Sequence, residues 1–287
     1  MSELLLLLQF SVPVGLAALG ETLTQRAGLI NIGLEGTMLI GAYAGMFATH
    51  LTGNPWLGVA VGGLAGLLLS LVFGLFTITL LVDQVVTGAA ISLLALGVTG
   101  AHFRSQFGES GVLLSVPKIP NWQGVDWVLL ATLLAVPVVY ILLFKTPWGL
   151  GVRACGEEPP AADALGWDVA RLRFQALALG GALGGIAGAY LSLGIVGSFS
   201  ENMTGGRGFV AIAMVTFARW NPLFVIGAAL LMGYLDSLQY AFQAKGWNLP
   251  YQLFIAMPYG VALLVLIAVG RGTAAPAALG VPFRRPK

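Results

Sequence analysis

Apolar residues fill one long stretch after another along almost the whole chain, roughly 4 to 20, 27 to 50, 55 to 81, 85 to 103, 127 to 144, 174 to 197, 208 to 219, 221 to 240 and 251 to 270. A helix of about 20 apolar residues crosses a bilayer core, and repeated stretches of that kind leave few other folds open. A water-soluble protein of 287 residues would need charge to cover its exterior, yet this chain has only 14 basic and 12 acidic residues. That is 9% charged, where globular chains carry about 25%. Lipid must therefore be the solvent for most of the surface. The expectation is an all-α, polytopic transmembrane helical bundle of about eight to ten spans, nine favoured, in which residues 1–287 form one domain. The opening Met1-Ser2-Glu3 lacks the basic start of a signal peptide, so the first apolar run reads as a retained helix.

The seventh stretch is too short to cross alone and runs into Trp220-Asn221-Pro222. It reads as a half-helix or an interior segment shielded by protein, because broken backbone facing lipid would leave amide groups unpaired. Counted as a crossing, it gives a clear orientation. Arg26, Lys145, Arg153, Arg171, Arg173, Arg219, Arg271, Arg284, Arg285 and Lys287 fall on one side, and Arg104, Lys118, Arg207 and Lys245 on the other. By the positive-inside bias the first side is cytoplasmic, with the N-terminus outside and the C-terminus inside.

Several chemistries are absent from the sequence. Cys155 is the single cysteine, and His50 and His102 stand far apart without a carboxylate motif, so no metal site and no cofactor is expected. None of the four lysines follows a glycine as in a nucleotide-binding P-loop, and neither a Gly-x-Ser-x-Gly elbow nor a His-Glu-x-x-His pair occurs. The chain is not expected to be an enzyme. Its net charge of +2 is scattered rather than clustered, which argues against nucleic acid.

Glycines recur at packing intervals: Gly180, Gly184 and Gly188, then Gly181 and Gly185, with Gly62/Gly66 and Gly41/Gly45 repeating the spacing. Such faces let helices approach closely in lipid. The informative polar residues are those inside apolar runs. Asn31 and Glu35 stand four apart, on one helical face of the second span. They either line a solute path or close a structural helix junction, since an unpaired carboxylate in hydrocarbon costs about 3 kcal/mol or more. Asp236 reads as structural or interfacial. Thr87 and Ser92, flanking Gly88, can bond back to their own helix. Thr204-Gly205-Gly206-Arg207-Gly208-Phe209 reads as a flexible connector, with a backbone nest for an anion as the other reading.

Between spans five and six lies a cytoplasmic loop, 145 to 173, in which Glu157-Glu158-Pro159-Pro160 and Gly166 bracket a short helix. Exposed Ala161, Ala162, Ala164 and Leu165 would be poorly placed in water and suit the groove of another protein.

Four motifs in order resemble those of membrane permease subunits of bacterial ABC importers, in the branch shared by ribose, branched-chain amino acid and nucleoside systems. They are Arg26 to Gly36 (RAGLINIGLEG), Asp83 to Gly88 (DQVVTG), the loop Gly151 to Gly166, and Gly206 to Ala213 (GRGFVAIA) with Arg219 to Pro222 (RWNP). The Asn-Ile-Gly-Leu-Glu-Gly wording is most similar to the smaller permease of purine-nucleoside importers. The resemblance implies a permease subunit in the bacterial cytoplasmic (inner) membrane that forms half of the path for a small neutral solute, a nucleoside first of all. Simple sugars or branched-chain amino acids are alternatives, and a proton-coupled secondary transporter using Glu35 is the alternative of another class.

It further implies a second homologous permease, ATP-binding subunits that hydrolyse ATP, and an extracytoplasmic solute-binding lipoprotein as partners. Path residues would be Asn31, Glu35, Gly36, Thr87, Gly88, Ser92 and Phe209. Coupling to the ATPase would fall to Gly151, Arg153, Ala154, Glu157, Pro160, Ala161, Ala162, Leu165 and Gly166, and rigid packing to Gly180, Gly184 and Gly188.

Overall fold

The computed structural model describes residues 3–108, 115–122, 125–244, 256, 260–261, 263–264, 267 and 275–285. The expected last span, 251 to 270, lies largely outside the described residues, as do Lys245, Arg271 and Lys287. Ten helices are seen among the described residues: α1 (Glu3–Arg26), α2 (Leu34–Thr52), α3 (Pro55–Gly74), α4 (Gln84–Phe107), α5 (Trp127–Lys145), α6 (Pro147–Glu157), α7 (Pro159–Ala164), α8 (Val169–Tyr190), α9 (Arg207–Phe217) and α10 (Pro222–Ala244). A two-residue antiparallel pair, β1 (Asn121–Trp122) with β2 (Val125–Asp126), precedes α5.

Scarce polar residues mark where these helices begin. The side chains of Asn54, Asp83, Asp126, Thr146 and Asp168 accept from backbone N–H groups in the first turns of α3, α4, α5, α6 and α8, with Pro55 and Pro147 opening α3 and α6. Each satisfies a donor that a helix start leaves unpaired. Three of the acids are thus spent on helix caps.

Five helices are long and apolar enough to cross a membrane: Leu5–Arg26, Pro55–Thr79, Gln84–Phe107, Trp127–Lys145 and Val169–Val196, the second and last including a π-type turn. Of these, the first is 67% buried and the last 61%, against 33% for each of the other three, so α1 and α8 form the centre. The outer faces of α3, α4 and α5 expose Leu64, Leu93 and Leu134, side chains suited to lipid. Short Arg207–Phe217, at 11 residues, spans about 16 Å.

Two glycine edges make α8 central. Gly180 lies against Gly20 of α1, Gly184 against Leu34 and Thr37, and Gly188 against the Met38 carbonyl and Ala42 of α2. The other edge, Gly181 and Gly185, meets Ser70, Gly66 and Gly62 of α3. Dispersion contacts between backbones replace the hydrophobic drive that lipid removes. Polar ties add to this packing: the Tyr190 hydroxyl donates to Asp126 Oδ2 (2.6 Å) and Ser192 Oγ to the Ala42 carbonyl (2.9 Å).

Candidate functional site

The site grows from a break in the chain. α1 stops at Arg26, and Gly28, with φ +87°, turns the backbone into an elbow of residues 27–33 before α2 starts. A continuous helix from residue 27 was expected, so Asn31 and Glu35 do not share a helical face; Asn31 belongs to the elbow and Glu35 to the first turn of α2. Buried elbow backbone needs partners, and side chains supply them. Arg173 Nε donates to Ala27 O (3.1 Å), Ile30 N to Gln84 Oε1 (2.7 Å), and Asn31 N to Glu21 Oε1 (3.1 Å).

Glu35 is buried at 7% exposure, and both of its oxygens are engaged. Gly206 N–H donates to Oε1 (2.8 Å) and Gly208 N–H to Oε2 (2.7 Å). The carboxylate thus caps the N-terminus of α9 from another helix, where the helix dipole favours negative charge. Gly208 must be glycine, because a Cβ there would lie 2.6 Å from the Glu35 backbone nitrogen. Arg207, between them, pairs with Asp236 Oδ2 at 3.2 Å. The expected flexible connector at 204–209 is therefore an ordered helix start. The nest for an anion exists there, and its anion is Glu35.

Around this junction Gly36 packs against Ser92 and Ala95, Gly88 against Ile32 and Gly33, and Ser92 Oγ donates to Ile32 O (3.3 Å). Asn31, Glu35, Gly36, Gly88 and Ser92 are thus drawn together where α2, α4 and α9 meet the elbow. Thr87 stands apart, its hydroxyl donating to Asp83 O of its own helix (2.7 Å), and Phe209 is 47% exposed.

The far end of α9 carries the Arg219 to Pro222 motif, and its partners in α1 include Glu21 and Gln25, which were not among the expected site residues. Trp220 Nε1 donates to Gln25 Oε1 (2.7 Å), Gln25 Nε2 to Glu21 Oε1 (3.0 Å), and Arg26 Nε to Trp220 O (3.0 Å). Arg219 and Trp220 hold φ values of +51° and +54°, left-handed backbone that non-glycine residues adopt at a cost. Glu21, 1% exposed, sits four residues before Gln25, the i, i+4 spacing by which the pair was legible.

The coupling loop contains two helices where one was expected. On α7 and its flank, Pro160, Ala161, Ala164, Leu165 and Gly166 are exposed, Leu165 at 80%. Ala162 is 1% exposed and packs with Val152, Cys155 and Leu172, so it is not available to a partner as expected; α7 must turn one face inward to bury anything at all. Gly151 is likewise buried, against Trp167 and Leu172. Arg153 stacks over Phe144 at 5.0 Å, Ala154 is half-buried, and Glu157 is exposed, 4.0 Å from Arg26. Burial pushes the Cys155 thiol up to about 11, only partly opposed by Arg173.

The family described as branched-chain amino acid transport system, permease component, matches residues 4–270. The chain belongs to this family. It is an ABC transporter permease subunit, a multi-pass membrane protein. A proposed glucose ABC transporter permease of Haloferax volcanii is 37% identical over 78% of this chain and 72% of its own length. The guanosine ABC transporter permease of Bacillus subtilis is 33% identical over 98% of this permease and 95% of that one, and a second guanosine permease of the same organism is 26% identical over 77% and 69%. A nucleoside ABC transporter permease of Lactococcus lactis subsp. cremoris is 33% identical over 98% and 96%. Among solved structures, an inward-facing proposed metal-chelate-type ABC transporter shares the fold, with a TM-score of 0.54 at 16% identity over 92% of this permease and 85% of that chain.

Proposed function

We propose that this permease forms half of the translocation path for nucleosides, driven by ATP hydrolysis in separate subunits. One observation carries the reading of an uncharged cargo: at the junction of α2, α4 and α9 the charges are matched internally, Glu35 by two N–H groups and Arg207 by Asp236. A path bordered this way offers a solute hydrogen bonds rather than a counter-charge. The near full-length likeness to guanosine and nucleoside permeases supports the choice of nucleosides among neutral solutes.

Nine crossings form one domain, residues 1–287, in the bacterial cytoplasmic membrane. Residues 197–217 count as one crossing made of an irregular half and the half-helix α9, and α6 and α7 face the cytoplasm. The exposed face of α7 docks on the ATPase, and the path is completed by a second permease, as the two guanosine permeases of one organism suggest. A solute-binding lipoprotein delivers the cargo. A sugar cargo is the second reading, favoured by the 37% identity to the glucose permease. Proton coupling through Glu35 is disfavoured because both oxygens already accept from α9.

Reconstituting the complete transporter in proteoliposomes and measuring ATP-dependent uptake of labelled guanosine and glucose tests the cargo. Guanosine uptake that glucose does not compete is expected; glucose uptake indifferent to nucleosides would replace the first reading by the second.

A further inference from the structure

Residues 275–285 fold back onto the coupling region. Ala278 N–H donates to Gly156 O (2.9 Å) at the end of α6, Gly280 N–H to Gly28 O (3.0 Å) in the elbow, and Ala277 N–H to Glu157 Oε2 (3.2 Å). Gly156 also abuts the elbow: a Cβ there would lie 3.2 Å from Gly28 N. Gly28 of the elbow therefore has its backbone against both Gly156 of α6 and Gly280 of the tail. Arg173 of α8, 2% exposed, bridges the same junction, Nε donating to Ala27 O (3.1 Å) and Nη1 to Val281 O (3.4 Å). Phe283 packs with the cluster of Val152, Cys155 and Ala162, and Arg285 Nε donates to Asp163 Oδ2 (3.2 Å) on α7.

We infer that this C-terminal tail positions the coupling helices, tying α6 and α7 to the α1–α2 elbow so that a displacement imposed on α7 carries the elbow and the Glu35 end of α2 with it. The inference rests on the coupling role proposed above for α7. α7 has only six residues and is followed by Gly166, whose φ is +89°, so by itself it is a weak lever. The tail adds main-chain bonds to Gly156 at the end of α6, just before α7, and to Gly28 in the elbow that leads into α2. The Arg285–Asp163 pair contributes little strength, since Arg285 is 77% exposed; the backbone bonds to Gly156 and Gly28 set the geometry. Because those bonds belong to the fold, the tail stays fastened through the transport cycle.

The test uses the complete transporter in proteoliposomes and reads solute moved per ATP hydrolysed, with the yield of assembled complex as a control. Deletion of 276–287, and separately Gly280→Val, which places a β-branched residue at φ +77°, should lower that ratio about fivefold or more while ATP hydrolysis persists. In a Cys155→Ser background, Asp163→Cys with Arg285→Cys, joined by a short bismaleimide, should leave uptake intact. An unchanged ratio in both tail variants, or loss of uptake on cross-linking, overturns the inference. If neither tail variant assembles, the cross-linked protein decides. Leu165→Arg separates the two ideas: if it leaves ATPase docking and the ratio intact, the coupling role of α7 fails, whereas if it uncouples and the tail variants do not, only the role of the tail fails.

Discussion

Gly208 N–H donates to Glu35 Oε2 at 2.7 Å across 173 residues of sequence, and Gly206 N–H holds the other oxygen. Glu35→Gln replaces one acceptor by a donor facing an N–H group, so it should destabilise the permease by about 1–3 kcal/mol, read as thermal unfolding in detergent. ATP-driven uptake should persist at a reduced level. Complete loss of uptake with unchanged stability would assign Glu35 to the solute or to a proton instead. Gly208→Ala should cost a similar amount, about 1–3 kcal/mol, through overpacking.

The α8 edges predict a contrast among glycines. Gly188→Ala drives a methyl into the Met38 carbonyl and should destabilise by about 1–3 kcal/mol. Gly97→Ala, on α4 with nothing within 4 Å, should stabilise slightly, by about 0.5–1 kcal/mol from helix propensity. Thermal midpoints that move together would contradict the packing described.

At the α9–α10 corner, Trp220→Phe keeps the ring and removes the bond to Gln25, a loss of about 1 kcal/mol. Gln25→Ala in the Trp220→Phe background should add less than it does alone, because the two share one bond and one network. Strict additivity in a double-mutant cycle would show that the bond contributes nothing.

On the coupling face, Leu165→Arg should leave the subunit folded but weaken capture of the ATPase subunit, since Leu165 is 80% exposed. Ala162→Arg should instead abolish folded protein, since Ala162 is 1% exposed and an unpaired buried charge is costly. Size-exclusion profiles of the two variants distinguish these outcomes.

Cys155 supplies a pH test. With its thiol raised from 9.0 to about 11 by burial, the folded chain keeps a proton that the unfolded chain releases. The associated stability is therefore fully present below pH 9 and is lost as pH rises towards 11. Maleimide labelling of the folded protein should be slow at neutral pH and rise about tenfold per pH unit. Fast labelling at neutral pH would contradict the burial.

Much of the architecture was legible because lipid leaves so few solutions: long apolar stretches must be helices, glycines at four-residue spacing must be contact faces, and a stretch of about 12 residues, 208 to 219, followed by Trp220-Asn221-Pro222 could not cross alone. The short α9 and the small helix in the coupling loop follow from those rules. The elbow was hidden because residues 27–33 are as apolar as a helix, and only Gly28 in a left-handed conformation breaks them. Ala162 looked like Ala161 for the same reason: composition shows that a short helix exists but not which way it faces.

By itself, the sequence determined that this chain lives in lipid as packed helices, because charge scarcity and apolar run length are local properties. Tertiary structure alone decided that the N–H groups of Gly206 and Gly208 are taken by Glu35, that Trp220 bonds to Gln25, and that the C-terminal tail closes on Gly28 and Gly156. Those partners lie far apart along the chain, and a backbone donor carries no residue-specific signal until folding brings an acceptor to it.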